Sequence, residues 1–166
     1  MIKSNISNGF TLLEVMLVVT VVGILAAFAL PSFTYTIQNN RVKTAASDMH
    51  INLLMARSEA IKRNDDVVIT GIVGGWEITY DTQVLSTKND LSATVALACN
   101  TDADVATEAC PAGVTFNRTG RPDIFVELRF TSTVIDTIPM RCVSISLSGR
   151  PKAVTDTDGD ATNGCN

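Results

Sequence analysis

The spacing of apolar and polar positions changes twice along this chain. From Phe10 to Leu30 the sequence is apolar on every side, with Glu14 as the only charge in 21 residues. A helix of that length measures about 31 Å, close to the hydrocarbon thickness of a bilayer. Pro31 removes a backbone donor and is expected to kink the helix, and Gly23 weakens it. Beyond the proline, Val42, Ala46, Met49, Leu53, Ala56 and Ala60 recur at steps of three and four, which predicts one apolar stripe on a helix ending near Asn64-Asp65-Asp66. Most charges, including Arg41, Lys43, Asp48, Arg57, Glu59, Lys62 and Arg63, fall off that stripe. From Val67 onward the pattern is one of short strands. Candidates are residues 67–73, 76–80, 95–98, 114–117, 124–130 and 141–147, the first two joined at Gly74-Gly75 as a hairpin. One long helix against a mostly antiparallel sheet is an α+β fold.

The apolar run is longer than the 7 to 15 residues of a secretory signal core and is followed by helical sequence, so it is expected to stay in the mature chain. A carboxylate inside such a segment costs about 2.5 to 3.5 kcal/mol on insertion scales and tends to mark function. Glu14 finds no cation in the apolar stretch after it. The amine created by cutting between Gly9 and Phe10, on this chain or a neighbour, would serve. The alternative is a glutamate that reaches back to the headgroups.

Composition narrows the classes. A net charge of −4 excludes a chain whose whole surface attracts nucleic acid. The mean hydropathy of +0.23 reflects the apolar concentration near the start. Cys99, Cys110, Cys142 and Cys165 are four in number, widely spaced and without a CxxC pair, which fits two disulfides in an oxidising compartment. Chain order favours Cys99 with Cys110 and Cys142 with Cys165, although three pairings are open. The only histidine, His50, reads as a helix surface residue, so zinc is disfavoured. There is no Walker loop, dinucleotide fingerprint, HExxH or GxSxG, and the chain is not expected to be an enzyme.

Gly9-Phe10-Thr11-Leu12-Leu13-Glu14 and the apolar run after it resemble the N-terminus of type IV prepilins and type II secretion pseudopilins. The resemblance implies a pilin fold, a leader of residues 1–9 removed by prepilin peptidase, and N-methylation of Phe10. It also implies a transmembrane and filament-core helix at 10–30, an amphipathic continuation at 31–64 and a β-rich domain at 65–166, with Glu14 aligning incoming subunits. The chain is further similar to the FimT/GspH group of minor pilins, through residues 53–63, the Trp76 hairpin, Phe116 to Arg121 and Ser146 to Lys152. Implied partners are other major and minor pilins and an inner-membrane assembly platform. The implied location is a single-pass inner-membrane protein with a periplasmic domain, later part of an extracellular pilus. A minor pilin that primes or caps the pilus is the first reading. A FimT-like DNA-binding pilin and a GspH-like secretion pseudopilin are the alternatives.

Two segments carry further chemistry. Thr119-Gly120-Arg121-Pro122 and Ser148-Gly149-Arg150-Pro151 are turn signals. Gly149-Arg150-Pro151-Lys152 also resembles the Gly-Arg-x-Arg loop of DNA-binding FimT proteins, with Arg150 and Lys152 as phosphate contacts and lysine departing from the pattern. Asp156, Asp158 and Asp160 alternate like the start of a calcium loop, but the expected glycine and closing glutamate are missing. A solvated acidic turn is favoured, and no cofactor is expected.

Overall fold

A computed structural model describes residues 10–100, 113–158 and 165, without the side chains of 28–32. The chain divides into two compact units, Met1–Thr36 and Ile37–Asn166. Helix α1, Leu12–Arg63, contributes to both.

In the first unit, every described large apolar side chain from Phe10 to Leu25 is exposed. A helix that is apolar all round is stable only inside an apolar environment or against other subunits. Among the described residues no helix is long and apolar enough to cross a membrane. The expected span of 10–30 runs into residues 28–32, so it rests on the sequence alone. Pro31 lies within α1, and the expected kink falls in that same segment.

The second unit is an α+β domain. All six residues of the predicted stripe are buried, joined by Ala45. The helix stops at Asn64, whose φ of 56° is left-handed. Asp65 N–H donates to the Ala60 carbonyl and Asn64 N–H to that of Ile61, the paired pattern that closes a helix C-terminus.

Where the sequence suggested one sheet, the described residues form two, each four-stranded and antiparallel. Strands β1 (Val67–Ile72), β2 (Gly75–Tyr80), β3 (Gln83–Lys88) and β5 (Val114–Phe116) form the first, in order β3-β2-β1-β5. Strands β4 (Val95–Asn100), β6 (Val126–Ser132), β7 (Arg141–Ile145) and β8 (Pro151–Thr155) form the second, in order β4-β6-β7-β8. Two strands escaped the sequence pattern. β3 reads Gln-Val-Leu-Ser-Thr-Lys, too polar to stand out, and β8 follows directly on a turn motif, with Pro151 as its first residue, a place where the missing N–H is tolerated. The first hairpin turns at Val73-Gly74, where Gly74 has φ 79°, while Gly75 already pairs with Ile72.

The core links α1 to both sheets. Trp76 of β2 meets Phe130 of β6 edge to face, with ring centroids 6.3 Å apart. Both rings are fully buried beside Leu53, Ile78, Phe116 and Ile145.

Candidate functional site

The N-terminal residues form the first region of interest. Thr11 precedes the helix and accepts the Glu14 N–H at its Oγ1, 3.2 Å away. The Thr-x-x-Glu spacing is that of a capping box, a signal already present in the sequence. Glu14 sits in the first turn, where the helix dipole favours a carboxylate. It is exposed and carries no ion pair among the described residues. Phe10 is 83% exposed. Gly9 lies outside the described residues.

The second region lies where the two Gly-Arg-Pro turns meet. In the first turn the Asn117 side-chain oxygen accepts the N–H groups of Thr119 and Arg121 at 2.9 and 3.1 Å, which holds Gly120 at φ 71°. In the second turn Gly149 N–H donates to Ser146 O at 2.8 Å, and Gly149 has φ 76°. The turns abut. A Cβ added to Gly149 would collide with the Gly120 carbonyl, and one on Gly120 would lie 2.7 Å from Ile61 Cδ1 and 3.1 Å from Arg57 Cγ. Glycine is needed at both positions for conformation and for space.

Arg121 and Arg150 are therefore exposed on adjoining turns beside Arg57 of α1. Lys152 is exposed in β8, opposite Ser144 of β7. None of these four cations has an ion pair among the described residues. His50 is not the plain surface residue expected. It is half-buried, with Nε2 3.3 Å from the Pro151 carbonyl, because folding lays β8 beside that turn of the helix.

The acidic candidates divide. Asp156 is buried and its N–H donates to Met140 O, whereas Asp158 is exposed. Both line an open groove with Asp136. Asp160 lies outside the described residues. Among the described residues no group of three or more His, Cys, Asp or Glu side chains is placed to hold a metal ion.

Cys142 and Cys165 form a disulfide across 23 residues. Cys99 is also disulfide-bonded, and Cys110 lies outside the described residues. The sequence alone left this pairing open.

Elsewhere, Lys88 Nζ bridges Asp48 of α1 at 2.9 Å and Asp90 at 2.8 Å, joining the end of β3 to the helix. The Asp90 and Asp48 hydrogen bonds raise the Lys88 pKa, and Lys88 lowers that of Asp90.

Comparison with known proteins gives two family matches and several similar structures. The family described as type II transport protein GspH matches residues 45–149. The prokaryotic N-terminal methylation motif matches residues 4–30. The Pseudomonas aeruginosa (strain PAO1) type IV minor pilin FimU has a similar fold, with a TM-score of 0.59 at 21% identity, over 76% of this chain and 96% of that one. The minor pseudopilin EpsH from the type 2 secretion system of Vibrio cholerae gives 0.52 at 16% identity, over 69% of this chain and 97% of that one.

Proposed function

The chain belongs to the family of type II transport protein GspH, and from that premise we propose that it is a minor pilin that primes or caps a type IV pilus. The observation that carries this reading is the first unit. Among its described residues the large apolar side chains from Phe10 to Leu25 are exposed, Glu14 is the lone charge, and the methylation motif covers residues 4–30. Such a segment needs lipid before assembly and neighbouring helices after it.

In this reading prepilin peptidase cuts after Gly9 and Phe10 becomes the methylated N-terminus. Residues 10–30 anchor the chain in the inner membrane with its domain in the periplasm. Other major and minor pilins and the assembly platform then draw it into the fibre, where Glu14 meets a terminal amine. The role is structural, not enzymatic, and uses no cofactor.

Mass spectrometry of the purified protein tests the first step. The expected product begins at methylated Phe10. An intact Met1, or a cut beyond Pro31, overturns the reading. Complementation of a deletion strain with Glu14→Ala tests the second step and is expected to abolish surface pili.

The family's own description favours one rival, a secretion pseudopilin, which Glu14→Ala would reveal through lost secretion with pili intact. A DNA-binding pilin draws support from exposed Arg150 and Lys152, neither ion-paired among the described residues. A mobility-shift titration at low salt that Arg150→Ala abolishes would favour it.

A further inference from the structure

The unpaired cations at the two turns belong to a longer line. On α1, Lys43, His50 and Arg57 are spaced seven residues apart, which puts them on one helix face over about 21 Å. The structure shows what that face meets. Lys43 and Ser47 line a cavity of about 100 Å³ with Arg141 of β7 and Ala153, Val154 and Thr155 of β8. Arg141 Nη1 donates to Thr155 Oγ1 at 2.6 Å, while its Nε is buried without a hydrogen-bond partner. Two turns beyond Lys43, His50 meets the Pro151 carbonyl at the start of β8. A further two turns on, Arg57 packs beside Gly120, against which Gly149 rests, so Arg121 and Arg150 complete the line.

Among the described residues, Lys43, Arg57, Arg121, Arg141 and Arg150 have no ion pair; Lys152, opposite Ser144, lies on the other face of β8 from Thr155 and outside the line. The nearest carboxylates on α1 are committed elsewhere. Asp48 holds Lys88, and Glu59 holds Lys62 and Arg63. Asp123 is exposed beyond Arg121, and its Oδ1 accepts the Thr115 N–H. In a chain of net charge −4, a seam of cations left without partners is an uncompensated feature. A buried guanidinium N–H without an acceptor is costly until one arrives.

We propose that this seam between α1, β8 and the two Gly-Arg-Pro turns is a docking surface for a carboxylate-bearing face of a neighbouring protein subunit. One carboxylate enters the Lys43–Arg141 cavity, and others meet Arg57, Arg121 and Arg150. The surroundings favour protein over nucleic acid. Leu54, Ile61 and Leu147 are exposed on or beside the seam, and arginine among aliphatic side chains is the composition of a protein interface. No exposed aromatic ring lies among these residues to stack a base. This inference rests on the fibre-subunit reading above, since it names a contact made during assembly.

Photocrosslinking in cells tests it, using the full chain with a photoreactive amino acid in place of Leu54, which sits between His50 and Arg57. The expected product is an adduct with another pilus subunit, mapped by mass spectrometry to a segment carrying Asp or Glu. Arg57→Gln with Arg150→Gln is expected to cut its yield about tenfold. Lys43→Gln with Arg121→Gln provides a second pair should the first fail a protease-resistance check of folding. An unchanged yield in a folded variant, an adduct with nucleic acid or lipid, or no adduct in fibres that contain the protein overturns the proposal. Failure of the fibre-subunit reading appears separately, as an unprocessed N-terminus or absence of the protein from fibres.

Discussion

Gly149 rests directly on the carbonyl of Gly120, so the two turns of like sequence, 29 positions apart, are one another's packing surface. Both glycines are left-handed, at φ 76° and 71°. Neither turn can shift without the other.

Replacing Gly149 with alanine sets a Cβ against a backbone oxygen that has no rotamer to escape into. The conformational penalty alone is about 1 to 2 kcal/mol, and the collision adds to it. Chemical denaturation of the full chain in detergent is expected to show a loss of at least that size. Serine at the exposed neighbour Leu147 is expected to change stability by less than about 0.5 kcal/mol.

The Lys88 bridge gives a pH dependence with a defined sign. The pKa of Lys88 is raised above its ordinary 10.5, so its contribution is present below that value and lost as pH rises through the higher folded one. The pKa of Asp90 is lowered from 3.8, so its contribution is present above that value and lost as pH falls through the lower folded one. The stability difference between wild type and Lys88→Met is therefore expected to be flat between these limits and to shrink outside them. Thermal midpoints across pH check this.

The Cys142–Cys165 bond closes a 23-residue separation, for which loop entropy predicts about 3 kcal/mol. Cys142→Ser with Cys165→Ser is expected to lose about 2 to 4 kcal/mol in a denaturant titration.

At the other end of the chain, Thr11 caps the helix through the Glu14 N–H. Thr11→Val removes the side-chain acceptor and leaves the Thr11 carbonyl, 3.1 Å from the same N–H, so the cost is about 0.5 to 1 kcal/mol and exchange of the Glu14 amide should speed about two- to fivefold. Hydrogen exchange in detergent reads this directly. Thr11→Ser is expected to leave it unchanged.

Much of this was legible in one dimension. The helical stripe from Val42 to Ala60 is a local periodicity, and all six of its residues are buried. The strands at Val67, Gly75, Val95, Val114, Val126 and Arg141 appear within two residues of their expected starts, because β-branched and aromatic runs between turn residues need no distant information. The half-buried place of His50 is not legible in this way, because its surroundings are set by Pro151, 101 residues away.

By itself the sequence determined the apolar N-terminal segment with its single acid, the helix that follows, and the strand-rich remainder, since each is written in spacing and side-chain type over a few consecutive residues. Only the tertiary structure decided that the strands divide into two sheets, that Cys142 bonds Cys165, and that two separate glycine turns close on each other beside Arg57. Those features are contacts between distant segments, fixed by which surfaces can be buried together, and no local pattern encodes them.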